Sequence, residues 1–181
     1  MPKPKLCKVC RISFEPRATT QVVCSWQCSI AYTNQEKAKR ERKEYREKKE
    51  KLKSLREWLG EAQVVYNRYI RELKKGMPCV SCGQHRTVYD AGHYRSVGAA
   101  PQLRFTDDNV WPQCIPCNQH KSGNAIEYRI RLVKLIGQDR VEALENNNEI
   151  KKWTIEEAKS IKVSYNHKLK LLRKGVSNER N

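Results

Sequence analysis

The sequence lacks any unbroken apolar run of about 20 residues, the length that a membrane-spanning helix needs. Its first ten residues, MPKPKLCKVC, also lack the apolar centre of a secretory signal peptide. We therefore expect a protein that stays in the cytoplasm where it is made. Disulfide bonds are rare in that reducing compartment, so the cysteines of this chain need another use.

Acidic residues are scarce relative to basic ones. The chain has 181 residues, and its 37 Lys and Arg against 20 Asp and Glu give a formal charge of +17. A charge of this size repels itself in a folded protein, so a polyanionic partner is expected. Nucleic acid is the favoured partner, and an anionic membrane surface is the alternative. The length suits one medium domain or two small ones rather than one large core.

Eight cysteines fall in four short pairs, with none left over. The pairs are Cys7 with Cys10, Cys24 with Cys28, Cys79 with Cys82, and Cys114 with Cys117. Two thiolates on one tight turn supply two corners of a tetrahedral Zn²⁺ site. Because shorter loops close at lower entropic cost, the first two pairs are expected to share one zinc ion and the last two pairs a second. Disulfides or unpaired buried thiols are the alternative use.

Composition divides the chain into four segments. Residues 1–30 are expected to form a zinc-stapled finger of treble-clef type, too small to fold without its metal. Residues 31–53 consist largely of Lys, Arg and Glu, which is typical of a solvated helical arm; a dimerising or DNA-contacting helix is the alternative. Residues 54–136 begin with a capping box and an amphipathic helix, and form the candidate catalytic module. Residues 137–181 are expected to be helical.

The expected fold is therefore α+β and mostly helical, with two small zinc-stapled modules joined and flanked by helices. In the central module, two cysteine pairs bracket the strand-like stretch RTVYDAGHY, and the second pair begins a helix. A β-hairpin followed by a helix, clamped by zinc at its open end, is the ββα-metal finger. Five residues with metal-ligand or acid–base chemistry lie within it, namely Asp90, His93, Asn109, Asn118 and His120.

These residue types suit phosphodiester hydrolysis. A general base must take a proton from water near neutral pH, and His93 carries an imidazole, whose ordinary pKa lies there. The oxygen atoms of Asp90 and Asn118 are ligands that Mg²⁺ prefers, and an imidazole ligand such as His120 also admits Mn²⁺. Asp90 and His93 are three residues apart, so they face opposite sides of a regular strand. A bulge at Gly92 is expected to turn both towards one phosphate.

The central stretch resembles the HNH (His-Me finger) nuclease superfamily through His93, Asn109 and the turn CIPCNQHK. Most of the chain more closely resembles the NinG (Rap) recombination proteins of lambda-like phages. That resemblance is carried by the stretches DAGHY, AAPQLRF and QCIPCNQHKSGN and by the helix that begins WTIEE. It implies a structure-selective endonuclease that acts on branched recombination intermediates such as Holliday junctions and D-loops.

The resemblance also implies roles for individual residues. His93 matches the general base, Asn109 the residue that holds its imidazole through backbone contacts, and Asn118 a ligand of the catalytic Mg²⁺ or Mn²⁺. Asp90 would be a second ligand, although the superfamily places its acid directly before the base, where this chain has a glycine. His120 is an added candidate ligand. Three basic residues are candidate DNA contacts, namely Lys121 at the scissile phosphate and Arg95 and Arg104 along the backbone.

Two other functions are compatible with the sequence. A non-catalytic, zinc-stabilised DNA-binding protein needs only the cysteines and the charge, and an HNH nuclease can also act on linear DNA. If the substrate is a Holliday junction, its two-fold symmetry favours a homodimer that makes paired cuts.

Overall fold

The structure is a computed structural model that describes residues 3–178. The chain divides into two compact units, Met1–Lys53 and Ser54–Asn181, each with its own group of four cysteines. The fold is α+β and mostly helical, with two small sheets, as the sequence predicted. Within the described residues, no helix is both long and apolar enough to cross a bilayer. The treble-clef and ββα-metal assignments stay predictions.

The first unit is a short hairpin followed by a long helix. Strand β1 (Lys5–Leu6) pairs antiparallel with β2 (Ser13–Phe14), and helix α1 (Trp26–Lys51) follows. Ser25 caps α1, because its hydroxyl accepts the backbone N–H of Cys28. No residue of α1 is buried, so good helix-forming residues and exposed ion pairs, rather than core packing, support the charged arm.

The second unit places a two-stranded hairpin between helices. Strand β3 (Asp90–His93) pairs antiparallel with β4 (Val110–Gln113). Four α-helices complete the unit: α2 (Leu55–Leu73), α3 (Ala125–Ile136), α4 (Gln138–Asn146) and α5 (Ile155–Asn178). Three short helical turns join them, two of 3-10 type at Pro101–Leu103 and Asp107–Asn109, and one of π type at Pro116–His120.

The two faces of the β3–β4 hairpin pack against different helices. Side chains alternate along each strand, so one face, here named the α3 face, carries Asp90, Gly92, Trp111 and Gln113. The other, the α2 face, carries Ala91, His93, Val110 and Pro112. On the α3 face, Trp111 joins a buried cluster that includes Tyr128 and Leu132 of α3 and Val141 and Leu144 of α4. On the α2 face, Ala91 and Val110 pack with Tyr66, Tyr69 and Ile70 of α2.

Gly92 does not form the bulge that the sequence predicted. Each residue of β3 has one partner in β4, and Gly92 lies opposite Trp111. Glycine is needed at position 92 for a different reason, because a Cβ atom here would lie 2.1 Å from Oε1 of Gln113. Because the pairing is regular, Asp90 and His93 face opposite sides of the hairpin.

We expect Gly92→Ala to destabilise the second unit by about 1–3 kcal/mol, the usual cost of overpacking a core. Gln113 is fully buried and its amide donates to Ser81 Oγ at 2.7 Å, so it cannot move aside freely. Gly60→Ala is the matched control, because nothing lies within 4 Å of the added Cβ in the exposed face of α2. That change should be neutral or stabilise by up to about 1 kcal/mol. Urea unfolding measures both, and equal free energies of unfolding would contradict the packing argument.

Candidate functional site

The eight cysteines gather into two groups of four, and within each group the sulfur atoms all lie within 4.8 Å of one another. The groups are Cys7, Cys10, Cys24 and Cys28, and Cys79, Cys82, Cys114 and Cys117, the pairing predicted from loop lengths. Sulfur atoms lie 3.5 Å apart in Cys10 and Cys24 and 3.8 Å apart in Cys82 and Cys114. A disulfide bond is about 2.05 Å long. Two corners of a tetrahedron with Zn–S bonds of about 2.3 Å lie about 3.8 Å apart. Both groups therefore fit a zinc-like ion.

The first turn of each group, the zinc knuckle, closes in the same way. The backbone N–H of Arg11 donates to the carbonyl of Cys7 at 3.0 Å, and that of Gly83 donates to the carbonyl of Cys79 at 2.8 Å. Both closing residues have left-handed backbones, with φ of 63° at Arg11 and 71° at Gly83. Glycine adopts this conformation without steric cost, whereas an arginine there is strained. The sulfur geometry of each group is thus fixed by local backbone turns.

Backbone amides favour ionised sulfur in the second group. Burial raises the pKa of the Cys79 thiol, but hydrogen bonds from backbone N–H groups, chiefly that of Cys114, outweigh it and lower the pKa to about 7. In the same group, burial and the neighbouring sulfur atoms raise the pKa of Cys117 to about 12. Four clustered thiols cannot all ionise beside one another unless a cation lies among them. The donor set is therefore suited to a divalent ion.

Asp90 and Asn118 meet on the α3 face, beside the second cysteine group. Asp90 begins β3 opposite Gln113, and Asn118 lies on the π-helical turn that follows Cys114. The side-chain amides of Asn118 and Gln119 each donate to Oδ2 of Asp90 at 2.8 Å. Carboxylate and side-chain amide oxygens are ligand types that Mg²⁺ prefers. Here the two amides direct their N–H groups, not their oxygens, at Asp90, so a Mg²⁺ site stays a prediction. Gln119 is not among the residues that the sequence predicted, and its only signal there is its place next to Asn118.

His93 lies half-buried on the α2 face. Its Nε2 is 3.1 Å from the carbonyl oxygen of Arg104, so the tautomer with hydrogen on Nε2 donates to that carbonyl. Burial lowers the pKa of His93, and the positive charge of Arg104 acts in the same direction, whereas hydrogen bonds to backbone groups oppose them. The imidazole is therefore neutral at pH 7, which is the state that a general base requires.

Asn109 is fully buried and holds the loop that follows His93. Its Oδ1 accepts the backbone N–H of Arg95 at 2.8 Å, and its Nδ2 donates to the carbonyls of Arg95 at 3.0 Å and Leu103 at 3.1 Å. These bonds fix the backbone of the loop at Arg95 and at Leu103. Leu103 directly precedes Arg104, whose carbonyl contacts His93. Asn109 thus makes backbone contacts of the kind that the resemblance implies, and its part in catalysis stays a prediction.

The three candidate DNA contacts differ in what they bind within the protein. Arg95 donates through one nitrogen to the carbonyls of Leu144, Glu145 and Asn147 at the end of α4. Arg104 donates through Nε to Gln63 Oε1 of α2 at 2.8 Å. Both guanidinium groups therefore tie the second unit together, and Lys121 is exposed. A role for any of them in DNA binding stays a prediction.

The structure brings some of the candidates together, but not all. Among the described residues, the cysteine groups alone place three or more Cys, His, Asp or Glu ligand atoms within 4.8 Å of one another. Asp90, His93 and His120 therefore do not form a three-ligand metal site, and His120 is exposed. Asp90 and His93 are also about 10 Å apart along the strand, at about 3.3 Å per residue. The action of Asp90 and His93 on one phosphate stays a prediction.

The fold and the two sulfur groups define a small, mostly helical protein with two cysteine sites for zinc-like metals. The family model for the bacteriophage lambda NinG protein matches residues 1–175, and the chain belongs to the NinG family of phage proteins. It is 41% identical over 202 residues to the protein ninG of Escherichia phage lambda, with 97% of each chain covered. It is 39% identical over 200 residues to protein ninG of Escherichia phage 933W, also with 97% of each covered. No solved structure matches the chain.

Proposed function

We propose that the protein is a metal-dependent endonuclease that hydrolyses phosphodiester bonds in branched DNA during phage recombination, in the cytoplasm of the host. The observation that carries the proposal is the pairing of Asp90 with Asn118 on a turn that the second cysteine group clamps. This pair lies at one end of β3, and a neutral, half-buried imidazole lies at the other end. The NinG family membership and the charge of +17 support a DNA substrate.

The contacts of each residue support a separate role in the proposed reaction. Asp90 and Asn118 hold Mg²⁺ or Mn²⁺, which when bound neutralises the phosphate charge and stabilises the leaving 3′ oxygen. His93 takes a proton from the attacking water through Nδ1, while the carbonyl of Arg104 orients its ring through Nε2. Gln119 is placed to orient the Asp90 carboxylate, since it donates to the same oxygen as Asn118.

The two ends of β3 serve one substrate if the DNA lies along the edge of the hairpin. Asp90 and His93 leave opposite faces, so neither face alone presents both groups. Within the described residues β3 pairs only with β4, which leaves the other edge of β3 without a strand partner. A DNA strand along that edge meets Asp90 at one end and His93 at the other, and a separation of about 10 Å leaves room for a phosphate between them.

Branched DNA is the favoured substrate for two reasons. The chain belongs to the NinG family, and its resemblance to phage recombination proteins implies that its substrates are recombination intermediates. Its contacts with DNA are also expected to read phosphate positions and shape rather than bases. A four-way junction offers several duplex arms to a strongly basic protein. Because the junction has two-fold symmetry, a homodimer would place one site at each of two symmetric strands.

The test is cleavage of a synthetic four-way junction compared with a linear duplex made from one pair of its arms. The purified protein with Mg²⁺ or Mn²⁺ is expected to cut the junction faster than the duplex, and EDTA added after purification should stop the reaction. Equal cutting of both substrates would instead support a nuclease for linear DNA. Tight binding without cleavage in either metal would support a zinc-stabilised DNA-binding protein and would overturn the proposed chemistry.

A further inference from the structure

A cleft of about 450 Å³ lies between the end of α2 and the loop after the second zinc knuckle. We name it the α2–knuckle cleft. One wall is formed by residues from Arg68 to Met77, and the other by His85, Arg86, Thr87 and Tyr89. Its charged lining is strongly one-sided, with five Lys or Arg residues, Arg68, Arg71, Lys74, Lys75 and Arg86, and one acidic residue, Glu72.

The positive charge of the cleft is largely uncompensated. Glu72, which is half-buried, lies 3.8 Å from the exposed Lys75, and an ion pair at the surface has a small energetic value. Arg68 and Arg71 are exposed and form no ion pair with any residue that the structure describes. Arg86 donates to the neutral side chain of Gln84. At least three guanidinium groups therefore face solvent without an acidic partner.

Lys74 adds a fixed charge at the inner side of the cleft. Its Nζ donates to the carbonyls of Asp107 and Val110, both at 2.7 Å, and lies 3.4 Å from the centre of the Trp111 ring. Burial lowers its pKa to about 8, although the charges of Asp107 and Asp108 oppose this effect. The ammonium group is thus held in place and is still charged at pH 7.

Helix electrostatics explain only part of this arrangement. Basic side chains near the C-terminus of a helix are favoured by its dipole, which accounts for Arg71, Lys74 and Lys75. The helix dipole does not account for Arg86, which lies on the opposite wall. Helix α1 is a useful comparison, because its nine Lys or Arg residues are interleaved with five Glu residues, whereas the cleft has five against one. The cleft is therefore the more selective place for an anion.

The wall that carries Arg86 is built on the second cysteine group. The Tyr89 ring packs against Cys79, Cys114 and Cys117, and its hydroxyl accepts the backbone N–H of Arg86 at 2.6 Å. Tyr89 also precedes Asp90 directly. One end of the cleft therefore lies one residue along the chain from the proposed metal ligand, although Pro112, which also lines the cleft, is on the opposite face of the hairpin from Asp90.

We propose that the α2–knuckle cleft binds the phosphodiester backbone of a DNA strand next to the Asp90 site. Planar guanidinium groups bind phosphate oxygens through paired N–H donors, and here they line both walls. The volume is that of a small-ligand site, so it holds about one or two nucleotide units of one strand rather than a duplex. This inference rests on the proposed function, because it assigns the cleft to the strand that the nuclease site acts on.

The test compares two triple variants that remove equal charge. The cleft variant is Arg68→Ala, Arg71→Ala and Arg86→Ala, and the control is Lys152→Ala, Lys170→Ala and Lys174→Ala, three exposed residues outside the cleft. Affinity for a four-way junction is measured between 50 and 200 mM salt (about the range over which counterion release is resolved), with circular dichroism and zinc content as checks of folding. We expect the cleft variant to bind roughly 10- to 100-fold more weakly and to reduce the salt slope by about 2–3, while the control changes affinity little.

The outcomes separate this inference from the proposed function. Suppose that the wild type binds and cuts junctions and that both variants lose affinity equally. The cleft is then not a specific DNA-binding site, so this inference is wrong, while the proposed nuclease activity is supported. If wild type binds no DNA, both proposals fail. If the cleft variant loses binding to RNA of the same sequence more than to DNA, the partner is RNA and the inference is overturned. Selective loss of junction binding by a folded, zinc-loaded cleft variant supports it.

Discussion

Replacing Cys79 by serine is expected to unfold the Ser54–Asn181 unit and to leave the Met1–Lys53 unit folded. Cys79 is buried, and its sulfur accepts the N–H of Cys114, so the change breaks a group that joins the knuckle to the end of β4. Structural zinc supplies about 10–16 kcal/mol in finger peptides, which is as large as the whole stability of an ordinary domain. Bound zinc should fall from two ions per chain to one, and circular dichroism should show loss of helix.

Two controls give this prediction its meaning. Cys10→Ser removes a sulfur from the other group and is expected to release the other zinc ion while the larger unit keeps its helices. Asn118→Ala removes a half-buried side chain that touches Asp90 and is expected to keep both zinc ions and the fold. If Asn118→Ala lowers the melting temperature as much as Cys79→Ser, the separation of structural and catalytic roles is wrong.

The cysteine pairing was predictable because it depends on local facts. The two cysteines of each pair are three or four positions apart, the thiol is a specific ligand, and the entropy of loop closure depends mainly on sequence distance. Helix α2 was predictable for a similar reason, since the Ser54–Glu57 capping box and the apolar periodicity of the helix are both local, and both are present in the structure. Sequence therefore specifies these elements before any tertiary contact is known.

The errors and omissions concern contacts between residues that are distant in sequence or on different elements. Gly92 was expected to allow a bulge. The structure instead shows that any side chain at Gly92 would collide with Gln113, which lies 21 residues later, and no local sequence pattern reveals that contact. Arg95 donates to the end of α4, about 50 residues away, a contact that the sequence did not predict, and its role in DNA binding stays a prediction. Gln119 was missed because its contact with Asp90 exists only after the turn and the strand have met.

His93→Ala is expected to lower the rate of junction cleavage by roughly 10²- to 10⁴-fold, the usual contribution of a general base. Folding should persist, because the imidazole is half-buried and its hydrogen bonds are to backbone groups, with the Arg104 carbonyl 3.1 Å from Nε2. His167→Ala is the matched control, since His167 is an exposed histidine on α5. Single-turnover assays at saturating protein separate the chemical step from DNA binding, which His93→Ala should leave unchanged.

The pH dependence gives a second and independent readout for His93. Burial lowers its pKa below the ordinary value of 6.5, so the unfolded chain binds the proton more tightly than the folded chain. The cleavage rate and the free energy of unfolding should therefore both decrease as the pH falls. The rate of cleavage should change little between pH 8 and 7 and fall at lower pH with a midpoint below 6.5, and the free energy of unfolding should decrease as pH falls through the same region. His93→Ala should lose its share of the stability slope, whereas His167→Ala should retain it. A cleavage rate that is already falling between pH 8 and 7 in the wild type, or a slope that His93→Ala leaves intact, would show that another group is the base.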